Sequence, residues 1–145
     1  MLNQMMKMNR ASNDEYYLDI ALTVSKRSTC LKRQYGCVIV NNNEIIATGY
    51  NGSPRGEENC CDRGTCKRLN KEHNSGDYSD CHSVHAEQNA MIEAARKDML
   101  GATMYLAGSE NGAELDNPVP CPICARMIKN SGIEKVINRS GEVCL

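Results

Sequence analysis

The chain has no tryptophan and no phenylalanine, so six tyrosines are the only large aromatic side chains available to fill a core or stack on a planar ligand. It has no basic excess either. The formal net charge is -1, which gives no electrostatic footprint for a nucleic-acid partner and leaves room for only a local basic pocket. No apolar run approaches the roughly 20 residues of a membrane span, so no membrane partner is expected. Met1 to Arg10 is rich in methionine but broken by Asn3, Gln4, Lys7 and Asn9, and it lacks the apolar core of a signal peptide. A cytoplasmic location is expected on that reading, with residues 1–11 flexible.

What the chain has in excess is cysteine, nine in 145 residues. A disulfide scaffold normally has an even count and a secretory leader, and this sequence shows neither, so clustered Cys and His point to metal. The length suits one domain, residues 1–145, with a core that needs no disulfide staples.

Local patterns set out the elements. Ser12-Asn13-Asp14-Glu15 is a capping box, and the apolar spacing after it predicts a helix over 13–28. Residues 36–40 and 44–50 read as a hairpin about Asn41-Asn42-Asn43, and the Gly- and Pro-rich stretch 49–56 as a shaped loop. Residues 57–84 carry charge, four cysteines and two histidines without periodicity, and read as an irregular Cys-rich insertion. A second helix is expected from His85 to about Gly101, a strand over 102–107, a loop over 108–119, a third helix from Cys121 to Gly132, and a strand over 133–138. This order gives an α/β domain whose last two strands run parallel, since a helix links them. Any further strand is expected to be cut to Glu142–Leu145 or missing.

His85-Ala86-Glu87 and Pro120-Cys121-Pro122-Ile123-Cys124 form an H-x-E followed by P-C-x-x-C, the signature of zinc-dependent nucleobase deaminases. His85, Cys121 and Cys124 supply three zinc ligands and leave a fourth position for water, which distinguishes catalytic from structural zinc. Glu87, two residues past the histidine, is placed to move protons without acting as a ligand. Each half opens a predicted helix, whose partial positive charge favours thiolate at the cysteines. Alone, C-x-x-C is as readily a structural or redox pair, and H-x-E two surface residues; in this order they act as one unit.

Over nearly its whole length the chain resembles the deoxycytidylate (dCMP) deaminases of the cytidine deaminase-like superfamily. The likeness is carried by Arg27-Ser28-Thr29-Cys30, the GYNGSPRG loop (Gly49–Gly56), HAEQNA (His85–Ala90) and PCPICA (Pro120–Ala125). The resemblance implies a three-layer α/β/α fold with a mixed central sheet, and hydrolysis of dCMP to dUMP and ammonia, supplying dUMP for thymidylate synthesis. It also implies substrate contacts at Asn51, toward the deoxyribose hydroxyl, and at Ala86, and a homohexamer activated by dCTP and inhibited by dTTP. For the phosphate, Arg27 and Arg55 are the candidates, because a planar guanidinium suits phosphate; for the base, Tyr50 and Tyr105. Some such enzymes hold a second, structural zinc. Cys30 and Cys60 match its first two positions, while Cys66, Cys81, His73 and His82 compete for the rest. Scattered free thiols are the alternative for the insertion. The competing functional readings are deamination of another cytosine nucleoside, nucleotide or base, and a catalytically silent, zinc-stabilised nucleotide sensor.

Overall fold

The structure is a computed structural model and describes residues 6–76 and 81–145. The first five residues of the 1–11 segment and residues 77–80 of the insertion lie outside the described residues.

Helix α1, Asn13–Ser25, begins as its capping box requires. The Ser12 hydroxyl accepts from the Glu15 N–H at 3.1 Å, and the Glu15 carboxylate accepts from the Ser12 N–H. It ends before the expected Ser28 because the chain tightens there: the N–H groups of Lys26, Arg27 and Ser28 each donate to the carbonyl three residues back. Strands β1 (Gln34–Asn41) and β2 (Glu44–Tyr50) form the expected hairpin. Its turn residues Asn42 and Asn43 have φ of 49° and 61°, the left-handed pair that a twisted two-residue hairpin needs and asparagine tolerates.

The insertion contains one helical turn, α2 (Cys60–Arg63). The expected helix over 85–101 is two helices, α3 (Ala86–Glu93) and α4 (Arg96–Met99), separated by extended backbone at Ala94 and Ala95. Local sequence offers no breaker; the reason is tertiary. Asn41 on β1 donates to the carbonyls of Asp98 and Leu100, drawing that segment onto the sheet and overriding the helical preference of two alanines.

Strand β3 (Thr103–Glu110) runs three residues beyond its expected end and turns back through Asn111-Gly112, both at positive φ, into the two-residue β4 (Ala113–Glu114). Asn-Gly is the strongest short hairpin signal, so the expected loop over 108–119 begins as a hairpin. Helix α5 (Pro122–Ser131) leads to β5 (Lys135–Asn138), parallel to β3 as expected, and β6 (Gly141–Val143) folds back antiparallel on β5. The last strand is therefore present, though short.

The sheet order is β2-β1-β3-β5-β6, with β4 on the end of β3. Alternate residues divide between two buried layers. Val38, Val40, Tyr105, Ala107 and Ile137 pack under α1, while Cys37, Ile39, Met104, Leu106 and Val136 pack under the helices of the opposite face. This is the three-layer α/β/α arrangement with a mixed sheet. Gly49 sets the closeness of the second layer: a Cβ there would collide with the Ala86 carbonyl and the Ala90 nitrogen, so α3 rests on the bare backbone of β2.

Candidate active site and metal centre

Two helix N-termini meet at the site. His85 is the N-cap of α3, and its N–H donates to the Gln88 side chain at 2.9 Å. Cys121 is the N-cap of α5, where its sulfur accepts from the Cys124 N–H at 3.4 Å and Pro122 occupies the first helical position. Their ligand atoms converge. His85 Nδ1 lies 3.6 Å from Cys121 Sγ and 3.3 Å from Cys124 Sγ. Among the described residues, this is the only group of three or more His, Cys, Asp or Glu side chains whose ligand atoms all lie within 4.8 Å of one another. Zinc–sulfur and zinc–nitrogen bonds of about 2.3 and 2.0–2.1 Å at a tetrahedral angle put N and S roughly 3.6 Å apart. Geometry and donor type both fit zinc.

The protonation pattern fits as well. Hydrogen bonding from Cys124 and from His85 drives the Cys121 thiol far below its ordinary value. The resulting thiolate, with burial and the charge of Glu87, drives Cys124 up. The bond to Cys121 raises His85 against the effect of burial. Three donors crowd so closely that the cluster holds protons where a cation would replace them. Glu87 is 5% exposed, and burial raises its carboxyl, opposed by its own backbone N–H and by His85. A carboxyl shifted upward both takes and returns a proton near neutral pH more readily than an ordinary one.

His85, Glu87 and Cys121 line a cavity of about 110 Å³, with Cys124 fully buried behind them. Asn51 lines it too, 8% exposed. Its Oδ1 accepts from the Tyr35 N–H (2.8 Å) and the Ser28 hydroxyl (2.6 Å), and its Nδ2 donates to the Arg33 carbonyl (2.9 Å). One amide hydrogen remains after those bonds. The GYNG loop thus holds the site's frame together through Asn51. Gly52 is needed for the same frame, since a Cβ there would sit 2.5 Å from the Thr29 hydroxyl.

The cationic candidates sit elsewhere than expected. Arg27 and Arg55 line a separate outer groove, where Arg55, with a side chain 94% exposed, pairs with Glu93 at 3.3 Å. The cations on the cavity itself are Lys32, Arg33 and Arg68. Arg33 donates through Nη1 to the Tyr35 hydroxyl (3.1 Å), while its Nε, 3.4 Å from Glu110, is buried without an aligned hydrogen bond. Of the tyrosines, Tyr105 is turned to the other layer and donates to Asp14 at 2.9 Å, Tyr50 lines the outer groove, and Tyr35 lines the cavity. Strand parity carried that signal: Tyr35 shares a face with Cys37 and Ile39, and Tyr105 with Ala107.

Among the described residues, no three of Cys30, Cys60, Cys66 and Cys81 bring their sulfurs within 4.8 Å of one another. Cys30 touches Ser83 at 3.1 Å, and the charges of Cys60 and Cys81 add slightly to the burial that raises its thiol. Cys30 and Cys81 line the cavity, whereas Cys60 lies 3.5 Å from Arg63.

The sequence profile of the cytidine and deoxycytidylate deaminase zinc-binding region matches residues 11–139, a stretch that includes every ligand described above. The chain belongs to this deaminase family. It is 38% identical over 136 residues to the deoxycytidylate deaminase of Mycobacterium phage D29, covering 90% of this chain and 96% of that one. It is 40% identical over 129 residues to the deoxycytidylate deaminase of Schizosaccharomyces pombe, covering 88% of this chain but 37% of the yeast protein, so it spans about two fifths of that relative's length. Among solved structures, the dCMP deaminase of cyanophage S-TIM5 in complex with dCMP and dUMP superposes with a TM-score of 0.65 at 28% identity, over 90% of this chain and 83% of that one. No helix among the described residues of this deaminase-family chain is long and apolar enough to cross a membrane.

Proposed function

We propose that the chain is a zinc-dependent dCMP deaminase that hydrolyses dCMP to dUMP and ammonia. The observation that carries this reading is the buried Glu87 beside a His85–Cys121–Cys124 donor set of zinc geometry, in one cavity with Asn51 and Arg33. The family match and the S-TIM5 enzyme, bound to dCMP and dUMP, support it.

A zinc ion on His85, Cys121 and Cys124 would supply Lewis-acid activation of the attacking water. The protein's own part is proton movement and positioning. Glu87 accepts the proton of the incoming water and delivers it to the ring nitrogen beside the amine-bearing carbon, which makes that carbon electrophilic. After attack, the same carboxylate takes the remaining proton from the added hydroxyl as the carbonyl forms and delivers it to the amino group, which leaves as ammonia. Because Glu87 is buried, water does not compete for the proton between these transfers. The remaining amide hydrogen of Asn51 meets the deoxyribose hydroxyl. Ala86, the first residue of α3, presents an N–H with no acceptor inside its helix, suited to a carbonyl of the base.

Arg33 takes the phosphate in this reading. Its unaligned buried Nε is the kind of donor a bound anion satisfies, and Lys32 and Arg68 add positive charge at the same cavity. Arg27 and Arg55, in the outer groove beside the GYNG loop, then belong with the dCTP and dTTP effectors that the family resemblance brings. The supply of dUMP for thymidylate synthesis, the homohexamer, the cytoplasmic setting and a second, structural zinc drawing on Cys30, Cys60, Cys66 and Cys81 rest on that resemblance too.

Ammonia release measured with dCMP, dCTP, deoxycytidine and cytidine, each with and without dCTP as effector, tests the reading. It predicts turnover of dCMP well above deoxycytidine. Binding of dCMP without ammonia from any of the four would replace the enzyme by a nucleotide sensor.

A further inference from the structure

Cys124 is placed by the helix that contains it, since it is fully buried one turn inside α5. Cys121 is tied to the helix only as its N-cap, its carbonyl accepting from the Ala125 N–H at 2.8 Å and its sulfur from the Cys124 N–H, so its position depends also on the loop that precedes it. Three of the chain's four prolines fall in that stretch, Asn117-Pro118-Val119-Pro120-Cys121-Pro122. Proline fixes φ and narrows the residue before it to extended conformations, so all six residues are restricted and the segment behaves as a stiff rod. Proline also removes the N–H donor. The rod has few donors of its own with which to anchor, and must be held by groups that donate to its oxygens.

Asn138, at the end of β5, supplies those donors. Its side chain is 2% exposed. Nδ2 donates to the Pro118 carbonyl and to Asn117 Oδ1, both at 2.8 Å, while Oδ1 accepts from the Ser140 N–H at 2.8 Å. Every hydrogen-bonding group of the amide that can bear a hydrogen is used, and the two donors converge on adjacent residues of the rod. The neighbouring turn adds only peripheral ties: Ser140 donates to the Asp116 carbonyl, and Arg139 pairs with Glu114 and Asp19.

We propose that Asn138 is a positioning residue for the metal centre: by holding Asn117 and Pro118 it sets, through the stiff segment up to Cys121, where that ligand stands relative to His85 and Cys124. A ligand carried on a rigid segment moves with its anchor, and partners that orient metal ligands typically matter by 10- to 100-fold in metal affinity or activity. The inference rests on the zinc reading above.

Asn138→Asp tests it with little change of shape. The carboxylate still accepts from the Ser140 N–H but has no hydrogen for the Pro118 carbonyl. Asn138→Leu removes all three bonds, and Asn117→Ala, at an exposed residue, removes one. Zinc affinity by chelator competition, the absorption spectrum of the cobalt-substituted protein, and kcat and KM for dCMP are measured on each. The expected result is a zinc affinity about tenfold or more weaker in Asn138→Asp, an altered cobalt spectrum, a lower kcat and a KM within about twofold of wild type, with a smaller change of the same sign in Asn117→Ala. Arg139→Gln is the control: it loosens the same turn and lowers Tm, but leaves affinity and spectrum unchanged. Wild-type affinity and spectrum in Asn138→Asp, with wild type itself binding zinc, would overturn this inference alone. Equal losses in Arg139→Gln would overturn it as well. A wild-type chain that takes up no zinc would remove both this inference and the reading beneath it.

Discussion

Gly52 and Val84 exchange both of their backbone hydrogen bonds, at 3.1 and 2.7 Å, and this isolated bridge places Asn51 beside His85. The residue before Gly52 faces the cavity, and the residue after Val84 is the first metal-ligand candidate. The two motifs lie more than thirty positions apart in sequence. They become one surface through two main-chain bonds that need glycine on one side, because any side chain at 52 meets Thr29. Gly52→Val therefore disrupts substrate binding and the metal centre together. The expected outcome is a lowered kcat/KM and weakened zinc uptake in the same variant; a change confined to KM would mean that loop and helix are not coupled.

Glu87→Gln separates metal binding from chemistry. Glutamine keeps the shape and removes the proton carrier, so the variant is expected to hold zinc as wild type does while kcat falls about 10²- to 10⁴-fold, the usual contribution of a positioned acid–base group. Zinc analysis beside an ammonia assay checks this. Cys121→Ser should instead lose zinc and activity together. Substantial turnover by a zinc-replete Glu87→Gln protein would take Glu87 out of the mechanism.

Arg33→Gln separates nucleotide from nucleoside recognition. Removing a charged hydrogen-bonding partner of phosphate raises KM for dCMP by about 10- to 100-fold, while deoxycytidine, which has no phosphate, is turned over as slowly as by wild type. The same substitution at Arg55, outside the cavity and paired with Glu93, leaves KM for dCMP unchanged. Steady-state kinetics on both substrates decide between the two arginines.

The start of the first helix, the Asn42-Asn43 turn and the pairing of Cys121 with Cys124 were legible in the sequence because each is set by neighbours within a few residues. Ser12 and Glu15, Asn42 and Asn43, and Cys121 and Cys124 all act at short range. What was not legible depends on distant partners. The break between α3 and α4 comes from Asn41 on β1, and which cations reach the cavity depends on how the loops fold: Arg33 lines it, while Arg27 and Arg55 line the outer groove. The tyrosines fall between these cases. Strand alternation alone placed Tyr35 on the metal-side face and Tyr105 on the other, and that signal was in the sequence.

The opposite layer gives a prediction about pH. Burial, and then the hydrogen bond to Asp14, raise the Tyr105 hydroxyl above the ordinary tyrosine value. A group whose folded-state pKa is raised contributes stability that is complete below its unfolded value, about 10 for tyrosine, and is lost as pH rises toward the folded one. Thermal unfolding from pH 8 to 11 should show Tm falling through the upper part of this range, with a shallower fall in Tyr105→Phe. Parallel falls in both proteins would place the lost stability elsewhere.

Packing of α3 on β2 is the mechanical basis of the site, and Gly49→Ala tests it. The added methyl must push Ala86 and Ala90 away, an overpacking that costs about 1–3 kcal/mol and, in a chain of this length, lowers Tm by roughly 2–4 °C for each of those kcal/mol. Calorimetry checks the stability, and a parallel loss of kcat would show that the displaced helix takes Glu87 with it.

The central claim is hydrolytic deamination of dCMP at this cavity, and the most direct measurement follows the oxygen. Zinc-loaded protein is incubated with dCMP in ¹⁸O-labelled water, and the nucleotide product and released ammonia are quantified together. The account predicts one ammonia per dUMP, with a single ¹⁸O on the ring carbon that carried the amine and none on the phosphate. Intact dCMP after prolonged incubation with zinc-loaded protein, or dUMP without the label, would contradict it.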